Sequence, residues 1–253
     1  MVHFVGAGCG APDLITLRGA RLLREADVVI YAGSLVNRSL LNETKPGCAK
    51  HDSARLTLEQ VIEIMRAAET AGLTTVRLHS GDPCLYGAVR EQFDALERLG
   101  IAYDVCPGVS AFSGAAAALR AEYTLPEVSQ TLIISRAAGR TGVPERESLR
   151  SLAAHGATMA LFLSAGLTEK VQEELLSGGY SPETPAAIVY KATWPGEEQT
   201  IRCTVGTLHA AAREHGITKT ALLLIGDCLG ETYARSKLYD PAFTTGYRKA
   251  ARE

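Results

Sequence analysis

The residues with the clearest chemical signature sit in short loops behind apolar strands. The first is Val5-Gly6-Ala7-Gly8-Cys9-Gly10-Ala11-Pro12-Asp13-Leu14. Three glycines in five residues turn the backbone sharply and let it lie close to something else. A strand, a glycine turn and a helix in that order put a ligand at the carboxyl end of a sheet. Gly6, Gly8 and Ala11 also fit the GxGxxG/A dinucleotide fingerprint. The other half of that fingerprint is missing. An acid should end the second strand and hold the ribose, yet that strand ends Tyr31-Ala32-Gly33-Ser34, and Asp27 stands at its start. Pro12 removes an N–H donor where a phosphate-binding helix would be under way. An NAD(P)-dependent dehydrogenase is therefore the disfavoured alternative, and no GKS or GKT follows to make a phosphate loop.

Other reactive side chains organise less well. Cys9, Cys48, Cys84, Cys106, Cys203 and Cys228 form no CxxC pair and have no histidine at zinc-finger spacing, so they read as reduced thiols and no metal is expected. The six histidines are scattered and offer no triad. Asp82, in Ser80-Gly81-Asp82-Pro83, has an ordinary explanation as a turn former before proline.

Behind these loops stands an alternating pattern of elements. Val2 to Val5 is a strand. Leu14, Leu17, Leu22 and Leu23 mark an amphipathic helix, and Asp27 to Tyr31 is a second, continuously apolar strand. A helix is predicted over 56–70 and stopped by Gly72. Strands follow at 75–79 and 101–105, with helices at 86–99 and 110–119. The repeated βα order implies a mostly parallel sheet. The polar stretch 121–130, with Pro126, reads as a connection between domains, giving α/β domains over 1–120 and 121–253. The second repeats the pattern: strands at 131–135, 158–163, 186–190 and 220–225, helices at 145–154, 167–177 and 208–214, and an alternating segment at 199–204 that suits an antiparallel strand. The tail from about Ser236 is either docked or frayed.

Composition excludes several function classes. The chain has 253 residues, 46% hydrophobic and 21% charged, with a formal net charge of −2. No global basic field favours nucleic acid. No apolar run is long enough to span a bilayer, and no signal peptide is read at the N-terminus, so a cytoplasmic protein is expected.

Taken together, the loops resemble the tetrapyrrole (uroporphyrin-III/corrin) methyltransferase family. The matching stretches are the first loop with Pro12-Asp13-Leu14-Ile15-Thr16-Leu17, then Ser80-Gly81-Asp82-Pro83 with Tyr86-Gly87, then Pro107-Gly108-Val109-Ser110-Ala111, with further matches over 160–164 and in the last strand. They cover about residues 2 to 228. Three more stretches resemble the subgroup that methylates a corrin precursor at C-11 during cobalamin biosynthesis: 31–36, 135–141 and 190–195. One departure stands out. The family commonly has GAGPGD in the first loop; here Cys9 replaces the proline and Ala11 the aspartate, which removes rigidity.

The resemblance implies two α/β domains with parallel or mixed sheets and an active-site cleft between them, and a homodimer. It implies S-adenosylmethionine as cofactor, no metal, and attack of an electron-rich pyrrole carbon on the sulfonium methyl. Positioning would supply most of the catalysis, so no triad is needed. Cofactor contacts would come from Cys9, Ser80, Gly81, Asp82, Leu85, Ser110, Ala111, Leu163 and Ala192, the last two walling the adenosine from the second domain. Core packing explains Leu163 and Ala192 about as well. A macrocycle bearing carboxylates would want cations such as Arg136, Arg140 and Lys191, which are otherwise solvated surface charges. Ser34 and Tyr31 could reach the same macrocycle, though Tyr31 also reads as a buried aromatic. Asp13 is an acid/base candidate that helix capping explains equally well. Methylation of the cobalt-containing form of the substrate or at another ring position, or tetrapyrrole binding without catalysis, remain the alternatives.

Overall fold

The computed structural model describes residues 1–250. Its chain divides into two compact units, one made of Met1–Ala115 with Lys191–Glu198, the other of Ala116–Tyr190 with Gln199–Glu253. The first unit holds a five-stranded sheet in the order β3-β2-β4-β1-β5. Its strands are β1 (Val2–Gly6), β2 (Val28–Tyr31), β3 (Ala49–Asp52), β4 (Thr75–His79) and β5 (Tyr103–Cys106). Every pairing is parallel, so all five carboxyl ends lie along one edge. Because β1 sits between β4 and β5, the loops after these three strands are neighbours.

Helices α1 (Leu17–Glu25), α2 (Leu58–Thr70) and α3 (Arg90–Leu99) follow from local signals. The Thr16 side chain accepts from the Gly19 N–H and caps α1. A capping box of Thr57 and Gln60 opens α2. Two apolar clusters cover the sheet. One contains Val5, Leu22, Leu23, Val29, Val76 and Leu78, and the other Val2, Phe4, Ile30, Val61, Met65 and Leu96.

The second unit's sheet runs β6-β7-β10-β8-β9. It contains β6 (Leu132–Arg136), β7 (Thr158–Phe162), β8 (Pro185–Tyr190), β9 (Gln199–Thr204) and β10 (Ala221–Ile225). Only β6 and β7 pair in parallel; β7-β10, β10-β8 and β8-β9 are antiparallel. Thus 199–204 is the antiparallel strand its alternation predicts. Helices α5 (Leu149–Ala153), α6 (Thr168–Gly178) and α7 (Leu208–Glu214) pack on a core of Leu149, Met159, Leu161, Leu175, Ile188 and Leu223.

Five details differ from the sequence reading. Leu14 and Leu17 are exposed, and α1 buries Gly19, Leu22 and Leu23 instead. The helix expected from 86 starts only at Arg90, because Tyr86 and Ala88 take positive φ values of 55° and 48°. Strand β3 was not anticipated: Ala-Lys-His-Asp at a sheet edge has no apolar signature. The unit boundary falls inside α4 (Ala111–Leu119), not after residue 120. The stretch 121–130, read as the connection between domains, lies within the second unit: Thr158 donates through Oγ1 to the Tyr123 carbonyl, and Ser129 Oγ accepts from the Thr158 N–H.

The tail folds partly onto itself, with Arg248 donating to the carbonyls of Leu238 and Asp240. No helix among the described residues is long and apolar enough to cross a membrane.

Candidate active site

The carboxyl-end loops of β1, β4 and β5 interlock through backbone. Gly8 and Gly81 form an isolated bridge, with the Gly81 N–H donating to the Gly8 carbonyl at 2.9 Å and the Gly8 N–H to the Gly81 carbonyl at 3.3 Å. The Ala7 N–H donates to the His79 carbonyl at 2.7 Å. Gly6 and Gly108 meet beside this bridge. A Cβ on Gly6 would lie 2.6 Å from Gly108 Cα and 2.6 Å from the Gly81 oxygen, and one on Gly108 would strike the same oxygen. No side chain could yield, because the obstacles are backbone.

Asp82 ties two of these loops together. Its Oδ1 accepts from the Cys84 N–H at 2.8 Å, the Asx turn expected before Pro83, and its Oδ2 accepts from the Gly108 N–H at 2.7 Å. Burial would raise the Asp82 carboxyl. The bonds from the Cys84 side chain, the Cys84 N–H and the Gly108 N–H, with the nearby His79, outweigh it and hold the group below the ordinary carboxylate range. Asp82 is thus more than a turn former, since its second oxygen reaches 26 residues along the chain.

Beneath this edge lie two buried bases that sequence reasoning passed over. Arg77, only 7% exposed, donates to Gln92 Oε1 and to the Ile30 carbonyl, both at 3.2 Å, and burial lowers its pKa to about 10. His79 is 4% exposed and stacks on Phe4 with ring centroids 6.0 Å apart. Burial first, and Arg77 second, push its pKa down to about 3 against the pull of Asp82. The His79 Nε2 has no hydrogen-bond partner among the described residues. The alternation of Thr75, Arg77 and His79 with Val76 and Leu78 was the available signal: a strand buried on both faces carrying polar residues on one of them.

The segment 191–198, between β8 and β9, belongs to the first unit. Thr193 Oγ1 accepts from the Ala11 N–H at 3.1 Å and donates to Cys9 Sγ at 3.4 Å. Gly10 lies so near Ala192 and Trp194 that a Cβ would strike the indole ring. Asn37 Nδ2 donates to the Gly10 carbonyl at 2.9 Å. Lys191 pairs with Glu197 and lies 4.9 Å over the Trp194 ring. Lys191 and Thr193 have φ values of 45° and 65°. Such conformations cost about 1–3 kcal/mol each and persist only where the surroundings impose them.

Of the anticipated cofactor residues, Cys9, Ser80, Gly81, Asp82, Leu85, Ser110, Ala111 and Ala192 all lie in the first unit. Ala192 was expected from the second domain, but the connection that carries it folds with the first. Ser110 is buried just ahead of α4, and Leu85 is half-buried with its N–H donating to the Asp82 carbonyl. Leu163 belongs to the second unit. It follows β7 with a φ of 52° and is 67% exposed, so core packing does not explain it.

The anticipated substrate residues are less uniform. Arg136 donates to the carbonyls of Ala137, Thr141 and Gly142, and so braces its own loop. Arg140 and Ser34 are exposed. Lys191 is engaged as described above. Tyr31 is half-buried and packs against the first unit's core. Asp13 is exposed in a short turn over Pro12–Leu14 and does not cap α1, a task Thr16 performs. Ser164, fully buried, accepts from the Ala137 N–H at 2.9 Å and donates to the Phe162 carbonyl at 2.7 Å; it fixes the loop that carries Arg140.

The first unit is thus a parallel sheet whose strand-end loops meet through glycine backbone. The chain belongs to the Tetrapyrrole (Corrin/Porphyrin) Methylases, whose family model matches residues 1–209. It is 49% identical to a cobalt-precorrin-4 C(11)-methyltransferase of Methanocaldococcus jannaschii over 98% of this chain and 96% of that one. It is 47% identical to a precorrin-4 C(11)-methyltransferase of Pseudomonas aeruginosa over 94% of each. Among solved structures, a cobalt-precorrin-4 methyltransferase of cobalamin biosynthesis superposes with a TM-score of 0.89 at 46% identity, covering 91% of this chain and 96% of that one. A uroporphyrin-III C-methyltransferase from Thermus thermophilus, solved with S-adenosylhomocysteine, gives 0.76 at 27% identity, covering 90% and 98%.

Proposed function

We propose that the protein transfers a methyl group from S-adenosylmethionine to C-11 of precorrin-4, giving precorrin-5, in cobalamin biosynthesis. The observation that carries this reading is the interlocked edge of Gly6, Gly8, Gly81 and Gly108, tied by Asp82 and built from the loops that bear the family's motifs. Glycines at that edge let a polar ligand approach the main chain closely. That suits an amino-acid moiety, with Ser80, Gly81, Asp82, Leu85, Ser110 and Ala111 on one side and Cys9 and Ala192 on the other. Leu163 is assigned to the adenosine because an apolar side chain held out in strained backbone suits a ligand contact. When bound, S-adenosylmethionine supplies a methyl carried on positive sulfur. The chain's part is to hold its ligands in line and exclude water, an effect worth roughly 7–11 kcal/mol at best. Arg140, Ser34 and Lys191 are assigned to the macrocycle, and a cytoplasmic homodimer is part of the same proposal.

A second reading, the cobalt-containing substrate, is supported by the names of the Methanocaldococcus relative and of the solved structure that superposes at a TM-score of 0.89. Turnover followed by mass spectrometry tests both. Purified protein with S-adenosylmethionine is offered precorrin-4 and, separately, cobalt-precorrin-4. Gain of one methyl at C-11 on either establishes the reaction, and the preferred form distinguishes the readings. Binding of S-adenosylhomocysteine without methyl gain refutes the ring position or, if no tetrapyrrole is methylated, leaves a binding protein. Absence of both overturns the proposal.

A further inference from the structure

We propose that Thr193 is a positioning residue that sets the geometry of the first glycine loop, supplying through a hydroxyl the stiffness that Cys9 does not. The inference deepens the cofactor reading above and rests on it for the binding readout. Its basis is one oxygen with two directed bonds. The Thr193 hydroxyl has one hydrogen, given to Cys9 Sγ, and its lone pair takes the Ala11 N–H. Both partners lie in the loop, two residues apart, on either side of Gly10.

Three further contacts make this a built joint. The Thr193 N–H donates to Glu198 Oε2 at 2.6 Å, which anchors the threonine from its own segment. Trp194 fills the space above Gly10 so closely that no side chain fits there. Gly114 of α4 backs the joint from another direction: a Cβ there would lie 2.8 Å from Cys9 Sγ and 3.3 Å from the Thr193 methyl. The φ of 65° at Thr193 is a second, independent sign. A β-branched residue rarely takes this conformation, and asparagine or glycine would adopt it more readily. That conformation is the one in which the Thr193 hydroxyl meets the loop.

Three variants test the idea by hydrogen exchange at the Ala11 amide and by calorimetric titration with S-adenosylhomocysteine. Thr193→Val keeps the shape and removes the hydroxyl. Exchange at Ala11 is expected to quicken about tenfold and affinity to fall about tenfold, the equivalent of one hydrogen bond, with the thermal midpoint little changed. Thr193→Ser keeps the hydroxyl and should behave as the unaltered protein. Glu198→Ala removes only the anchor and should move both readouts in the same direction by less. If Thr193→Val fails to fold, the contrast between Glu198→Ala and Thr193→Ser still decides. Unaltered exchange and affinity in the valine variant, or in the alanine variant where valine does not fold, would overturn the proposal. Should the unaltered protein fail to bind S-adenosylhomocysteine, the cofactor reading falls, while exchange at Ala11 still reports on the joint.

Discussion

The two units use their strand-end loops differently. In the first, the loops after β1, β4 and β5 hold one another, glycine against glycine, with one carboxylate between them. In the second, the loop after β6 holds itself: Arg136 spends its guanidinium on the carbonyls of Ala137, Thr141 and Gly142, and Ser164 pins its start. The first arrangement has no room for an added side chain at its paired glycines. The second tolerates variation at its tip and keeps its cations at the surface. Strand-end loops are thus fixed by two different means within one chain, glycine packing in one unit and a bracing guanidinium in the other.

The largest effect expected from breaking this contrast is at paired glycines. Gly108→Ala forces a Cβ against the Gly81 oxygen and within 2.7 Å of Gly6 Cα. Overpacking of this kind costs about 1–3 kcal/mol, so urea denaturation should show a clear loss of stability and titration a loss of S-adenosylhomocysteine binding. Gly142→Ala, where nothing lies within 4 Å of the added carbon, should leave both unchanged. Equal behaviour of the two variants would erase the distinction between the loops.

Asp82 comes next. Hydrogen bonds to a charged group contribute about 1.5–3 kcal/mol. Asp82→Ala should therefore weaken S-adenosylhomocysteine binding by about tenfold or more in a protein that still folds. Unchanged affinity in the folded variant would reduce Asp82 to a turn residue.

His79 sharpens the comparison through pH. Its folded pKa of about 3 lies below the ordinary 6.5, so the unfolded chain binds the extra proton first as pH falls. The stability contribution is complete above pH 6.5 and is lost on going down towards pH 3, at a limiting slope of ~1.4 kcal/mol per pH unit. Denaturant midpoints measured between pH 7 and pH 4.5, above the titration of Asp82, should fall for the native protein and fall less for His79→Phe. Parallel slopes would mean that His79 is solvated in the folded state.

Much of this architecture was legible because the elements report themselves locally. Gly72 and Gly100 stop helices, and the apolar runs at 28–31 and 221–225 can only be buried strands. Three of the loop motifs follow β1, β4 and β5, and parallel pairing puts those three at one edge of one sheet. What was not legible depends on distant partners. Nothing in Ala-Lys-His-Asp announces the edge strand β3. The half-turn at Tyr86 and Ala88 is held in conformations that no propensity favours. That the β8–β9 connection belongs to the first unit is a tertiary fact, and it moved Ala192 from one unit to the other. The bond from the Gly108 N–H to Asp82, and those from Thr193 to Cys9 and Ala11, are likewise invisible to any local window.

The smallest effects are expected in the second unit, where they separate two arginines that look alike in sequence. Arg136 donates three hydrogen bonds to backbone within its own loop, so its guanidinium has little left for a substrate carboxylate. Arg140 is exposed at the tip of that loop and has no such duty among the described contacts. Arg136→Ala should therefore lower the thermal midpoint by a few degrees and disturb substrate binding only indirectly. Arg140→Ala should leave the midpoint in place and raise KM for the macrocycle severalfold with kcat unaltered, as the loss of a contact made equally in ground and transition states requires. Because an ion pair at an exposed site is screened, that difference in KM should shrink as salt is raised. The reverse pattern, with KM following Arg136 and stability following Arg140, would place the substrate's carboxylates at the strand end instead of the loop tip, and the division between a self-braced base and an adaptable tip would fail.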